Sequence, residues 1–209
     1  MRQDSTVLYC DSTTRYPVAM AETMSAGQAA TRARILGAAA ELFYERGVHA
    51  VGVNEIAARA SASKLSLYRY FPSKERLVQA MLTDHSDRIQ AWLDRETASA
   101  PPGPERVLAV FDLLIDWFAQ PDYHGCAVVN TVTDTRADVE IAAIARRHLV
   151  RYRALLEDRL DGLDLADPAA TARQLLLLIE GASVVTAIDG TPAAGQDARN
   201  AARHLLAHP

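Results

Sequence analysis

Lysine is nearly absent from this chain. Of 22 basic side chains only Lys64 and Lys74 are lysines, and both lie in one short stretch, SASKLSLYRYFPSK. Cysteine is equally scarce: Cys10 and Cys126 stand far apart in unlike contexts, which is no disulfide framework and points to a reducing cytoplasm. No apolar run reaches the ~18 to 20 residues of a membrane span, and the N-terminal stretch holds no apolar segment of signal-peptide length, so neither membrane insertion nor export is expected. Catalytic signatures are missing as well. There is no H-E-x-x-H, no G-x-S-x-G and no glycine-rich phosphate loop. Ser61-Ala62-Ser63-Lys64 fits S-x-x-K, but without K-T-G or S-D-N and in too short a chain for that fold. His148, His204 and His208 are not at metal-ligand spacing. No enzyme, metal site or cofactor is expected.

What is present suffices for a soluble core: 209 residues, 49% hydrophobic and 23% charged. The formal charge of −4 hides a division. Residues 28–83 carry eight basic and four acidic side chains, whereas residues from 84 onward carry 12 basic and 19 acidic ones. A basic module on an acidic body suits a head that holds a polyanion away from the rest, although chance segregation of surface charge gives the same sums.

Helical periodicity dominates. Residues 1–27 are polar and aperiodic and read as a mobile tail. From Thr31, Ile35, Leu36, Ala39, Leu42 and Phe43 recur at helical spacing until Gly47. VNEIAARA forms a second short helix, and KLSLYRYF a third, ended by Pro72. Ser73 then caps a long fourth, with Glu75 in its first turn where the dipole favours a carboxylate. After SAPPGP an amphipathic helix covers 106–120; GCAVVNTVT is irregular or helical; 138–160 is a long helix; Asp167-Pro168 opens one that runs to Gly190; and a last covers 197–207. No strand finds a partner. The expected class is all-α.

Three short helices, the last two separated by a tight turn, fit a helix-turn-helix whose second element enters a DNA major groove. Lys64 and Lys74 then meet phosphates at either edge, Tyr68 and Tyr70 offer hydroxyls to the backbone, and Arg69 reaches a phosphate or a guanine edge. The helix N-terminus at Ser73 is a further phosphate site. Leu67 and Phe71 read as core.

The stretch TRARILGAAAELFYERGVHAVGVNEIAARASASKLSLYRYFPSKERLVQAML, residues 31–82, resembles the DNA-binding domain of the TetR family of bacterial repressors. Beyond it only length, helical content and the layout of the last two helices are similar. The resemblance implies a homodimer on a palindromic double-stranded operator, with a small-molecule effector in the C-terminal domain. It puts DNA contacts at Lys64, Leu65, Ser66, Tyr68, Arg69, Tyr70 and Lys74, with Gly52 counted among them at the start of the second helix. The chain departs from the family at the turn, where Ser61 replaces a glycine that eases positive φ and Ala62 a larger valine. Val51 and Gly52 replace capping Thr and Ser, which weakens that cap, and Leu65 replaces a common glycine.

The implied division is a tail over 1–27, a DNA-binding domain over 28–75 and a ligand-binding, dimerising domain over 76–209. Helical position nominates Trp92, Phe111, Trp117, Phe118, Cys126, Asn130, Tyr152 and Glu180 for an effector pocket. Each of them equally suits core or surface. Glu180 interrupts LLLLIEGASVV; if buried, its carboxylate wants a cationic ligand or an arginine. Cys126, in the Gly-Cys-x-x-x-Asn pattern of a family subgroup, reads either as a redox or electrophile sensor, which needs a lowered thiol pKa, or as a small packed residue. The apolar run with Gly181, Ala182 and Ser183 suits a dimer seam or an intramolecular core. The expectation is a DNA-binding regulator of the bacterial cytoplasm and nucleoid, released from DNA by its ligand. The rivals are a helical small-molecule-binding or enzymatic bundle without DNA binding, and a protein-interaction module.

Overall fold

The computed structural model describes residues 25–135 and 138–207, and within them every regular element is an α-helix. In chain order these are α1 (Ala26–Arg46), α2 (Val53–Arg59), α3 (Lys64–Tyr70), α4 (Lys74–Thr97), α5 (Pro104–Phe118), α6 (Ala127–Asp134), α7 (Val139–Arg159), α8 (Pro168–Asp189) and α9 (Ala193–Ala207). The chain separates into two compact units. Of the described residues, one holds those up to His85 together with those between Asn130 and Ile144; the other holds Ser86–Val129 and those from Ala145 onward.

In the first unit α1 begins five residues earlier than its apolar period, because Ser25 and Gln28 form a reciprocal capping box. Ser25 to Gly27, assigned from sequence to the tail, therefore belong to the helix start, while residues 1–24 lie outside the described residues. Gly47, at φ 78°, ends α1. Helix α2 starts at Gly52 without a side-chain cap, as its sequence implies. In α3 the Ser63 hydroxyl accepts the Ser66 N–H at 3.0 Å, and Phe71 turns extended before Pro72. Ile35, Ile56, Leu67 and Leu77 are wholly buried where these helices meet, each worth about 1.5–3 kcal/mol relative to exposure. Arg59–Glu41 and Arg46–Glu55 pairs link α2 to α1 on the outside. The GCAVVNTVT segment is settled as helical, since α6 covers most of it.

The second unit packs α9 on α5 and α8, and α5 on α8. Val107, Val110, Phe111, Leu114, Ile115 and Phe118 of α5 are all buried, as their spacing requires. The approach of α9 is close enough that a Cβ at Gly195 would stand 2.9 Å from Ile115 Cγ1. Helix α9 begins at Ala193, four residues before the sequence expectation, because Thr191-Pro192 provides the entry and Gly195 is needed inside the helix. Asp167 caps α8 through the Ala170 N–H at 2.9 Å and Gly190 closes it in the left-handed region. Buried Arg159 is held by Thr97 Oγ1 at 3.0 Å and by Asp94 and Asp158.

Helix α8 is the one helix among the described residues long and apolar enough to cross a membrane by length and composition, a trait it shares with core helices of soluble proteins. Only part of it is buried. Leu177, Val184, Val185 and Ile188 are exposed, Leu177 and Ile188 by 72% and 78%.

Candidate functional site

Two groups of side chains stand out, one in each unit. In the first, α3 divides its residues by face. Leu67 is buried and Phe71 follows it into the core, whereas Lys64, Leu65, Tyr68 and Arg69 are exposed, Leu65 by 75%. Ser66 and Tyr70 are half-buried, and Gly52 is exposed at the start of α2. Seven residues suffice for this because the helix need present only one face. The Lys64 ammonium lies 6.0 Å from the Tyr68 ring centroid and that of Lys74 lies 5.8 Å from the Phe43 ring. Each cation thus lies over an aromatic face. At the start of α4 the Ser73 hydroxyl accepts the Arg76 N–H at 3.2 Å. Its hydrogen bond to Glu75 is the main cause holding that carboxyl below its usual range.

The turn that aims α3 is strained. Ser61 has φ 48°, the one positive-φ residue other than glycine among the described residues. Hydrogen bonds hold it there: Ser61 N–H to Ala58 O at 3.1 Å and Ala62 N–H to Ala57 O at 2.9 Å. Arg34 Nε also donates to Ala60 O at 3.2 Å. Losing the glycine leaves the geometry in place and charges its cost to the backbone.

The second group lies among α7, α8 and the residues before α6. Cys126, His148 and Glu180 bring a thiol, an imidazole nitrogen and a carboxylate oxygen within 4.8 Å of one another. Ser86 Oγ lies 2.9 Å from His148 Nδ1, and the Tyr152 ring meets the imidazole edge to face at 5.5 Å. Glu180 faces inward: its Oε2 is buried and has no hydrogen-bond partner, which answers the question its sequence position raises. Burial shifts all three groups toward their neutral forms. The Glu180 carboxyl is raised to about 7 and the His148 imidazole lowered to about 4, with Arg151 adding to the latter. The Cys126 thiol is pushed up to about 12 by burial and then by Glu180, and the Tyr152 phenol is raised for the same reasons. Although the cysteine residue keeps some exposed surface, its thiol is enclosed. The lowered pKa required of a reactive sensor thiol is therefore not what this site provides.

Beside this group the rings of Trp92, Trp117, Phe118 and Tyr123 stack edgewise or tilted, with centroids 4.9 to 6.4 Å apart between neighbours. The Tyr123 hydroxyl sits 2.7 Å from Ser183 Oγ. Phe111 is buried in α5. Seven of the eight nominated residues thus share one unit. Asn130 does not: α6 buries Val128 and Thr131, which turns Asn130 outward, and it belongs to the other unit. Sequence reading missed Tyr123 and the inward role of His148. The signal for His148 was available, since 141, 144, 148, 152 and 155 continue one helical face. Tyr123 stands in a turn, where no period points anywhere.

Comparison with known proteins agrees with this layout. Residues 35–81 match the family described as bacterial regulatory proteins, tetR family. The HTH-type transcriptional activator FasR of Mycolicibacterium smegmatis is 35% identical over 119 residues, 54% of this chain and 54% of FasR. UidR, an HTH-type transcriptional regulator of Escherichia coli K12, is 38% identical over 72 residues, 34% of this chain and 37% of UidR. The chain thus spans about half or less of the curated relatives it matches. Among solved structures SCO4454, a TetR-family transcriptional regulator from Streptomyces coelicolor, superposes with a TM-score of 0.79 at 27% identity, covering 86% of this chain and 95% of that one. Residues 35–81 thus carry the N-terminal domain of the bacterial tetR-family regulators, and the fold of the chain is similar to that of a TetR-family regulator.

Proposed function

We propose that this protein is a homodimeric, non-enzymatic transcriptional regulator that binds a palindromic operator through residues 28–75 and a small-molecule effector through residues 76–209. The observation that carries the reading is the face of α3. Lys64, Leu65, Tyr68 and Arg69 point outward together while Leu67 is buried, the arrangement a recognition helix needs. Lys64, Lys74 and the tyrosine hydroxyls meet phosphates, Arg69 reads a base edge, and Leu65 packs on sugar or a thymine methyl.

Dimerisation is supported by α8. Leu177, Gly181, Val184 and Ile188 recur at intervals of four, three and four, and all are exposed. Glycine within such a stripe lets a second helix approach closely, and α9 beside it completes a four-helix seam across a two-fold axis. The polar and aromatic group around Glu180 is the effector site, and its ligand acts by differential affinity for DNA-competent and incompetent spacings of the two heads. Release from DNA by the ligand makes the protein a repressor. The similarity to FasR, which is named an activator, favours a second reading in which the bound protein recruits transcription. Either use places it on the nucleoid in the bacterial cytoplasm.

The test is a fluorescence-anisotropy titration against DNA from upstream of its own gene, with random DNA as control, at two salt concentrations. Tight, salt-sensitive binding that prefers the upstream DNA is expected. Equal, weak binding to that DNA and to genomic fragments generally would defeat the regulator reading.

A further inference from the structure

We propose that Cys126, His148 and Glu180 form a site for one divalent transition-metal ion of the zinc class. The three donors come from separate stretches, one just before α6, one on α7 and one on α8, so their convergence within 4.8 Å is a product of folding and not of local spacing. In a tetrahedral site with metal–sulfur and metal–nitrogen distances of about 2.3 and 2.0 Å, donors stand about 3.5 Å apart. The widest separation therefore needs to contract by about 1.3 Å at most to enclose an ion.

Three further observations favour a cation. Glu180 Oε2 is buried without a hydrogen-bond partner, a costly state that a bound ion removes. Ser86 engages His148 Nδ1, leaving Nε2 as the coordinating nitrogen and fixing the ring as metal-bound histidines are commonly fixed. Charge also balances: one thiolate, one carboxylate and one neutral imidazole offset a dication, whereas the same donors around a monovalent ion would bury a negative charge. A sulfur–nitrogen–oxygen set excludes magnesium and calcium, which take oxygen ligands, and suits zinc, cobalt or nickel. Coordination removes the thiol proton, so a buried thiol is no obstacle. Three protein ligands leave a fourth position for water or an exogenous donor. The binding site needs neither DNA nor the regulator reading; only its use as an effector site rests on that reading.

The experiment titrates metal-free full-length protein carrying Cys10→Ser, which removes the other thiol, with Co2+ under reducing conditions. One Co2+ per chain is expected, with a thiolate-to-cobalt charge-transfer band and the intense visible bands of tetrahedral cobalt, both bleached by Zn2+. Adding Cys126→Ser should abolish the charge-transfer band, and Glu180→Gln and His148→Gln should each weaken affinity at least tenfold. Glu180→Gln is isosteric and keeps the test decisive if Cys126→Ser does not fold. Absence of a thiolate band, bands that survive Cys126→Ser, or affinity unchanged in Glu180→Gln would overturn the proposal. So would saturable binding of an aromatic quaternary ammonium probe that needs Glu180 in a protein that binds no Co2+. A protein that binds Co2+ but no operator would leave the metal site standing and remove the regulator reading alone.

Discussion

Asp134 Oδ2 accepts the backbone N–H of Val48 at 2.9 Å, joining the end of α6 to the turn after α1 across 86 positions of sequence. The same oxygen lies 3.4 Å from the His49 N, and the Asp134 carbonyl contacts the His49 ring at 2.9 Å. Gly47, at φ 78°, turns the chain into this contact, and a Cβ there would meet the carboxylate at an ordinary 3.4 Å.

Asp134→Ala should destabilise the protein by about 1–3 kcal/mol, because it leaves a partly buried N–H unsatisfied. Asp134→Asn keeps an acceptor and should recover most of the loss in urea unfolding. Equal losses in both variants would assign the effect to charge.

On DNA, Lys64→Ala and Lys74→Ala should weaken binding to all sequences alike and lower the salt slope by about one each. Arg69→Ala should cost about 1–3 kcal/mol on the operator alone if it reads a guanine. Matching losses on operator and random DNA would make Arg69 a phosphate contact, a result anisotropy at several salt concentrations separates.

Ser61→Gly should raise stability by up to about 1 kcal/mol. It relieves a left-handed serine, and the added freedom of the unfolded chain takes back part of the gain. A fall in the melting midpoint would show that the serine side chain offsets its own strain.

Glu75 supplies a pH signature. Its carboxyl is held below the ordinary range, chiefly by Ser73, so its contribution is present above the unfolded value near 4.5 and is lost as pH falls through the lower folded value. Ser73→Ala should move the Glu75 titration upward in an NMR pH series and shrink that acid-side loss. An unmoved titration would leave the start of α4 as the cause.

If α8 is the dimer seam, Ile188→Glu or Leu177→Glu should produce monomers in analytical ultracentrifugation and lower operator affinity by more than tenfold. An unchanged dimer would place the seam elsewhere.

Local chemistry was legible from sequence because it acts over one turn. The periods of α5 and α7, the caps at Ser73 and Asp167, the stop at Gly190, the bare start at Gly52 and the positive φ of Ser61 are consequences of neighbouring residues, and all appear in the fold. Boundaries set by weak alanine-rich turns, at the starts of α1 and α9, were read four or five residues late, since alanine permits a helix without announcing its face. The exposed face of α3 was legible for a related reason: one short helix carries it whole.

The cluster of Cys126, His148 and Glu180 was beyond such reading. Its members are separated by 22 and 32 positions, and each alone suits an ordinary core or surface site. Helix period says which residues turn inward, but not which inward residues of different helices share a depth. That depth follows from the packing of α7 and α8 and from the chain's path into α6, and only the tertiary structure decides it.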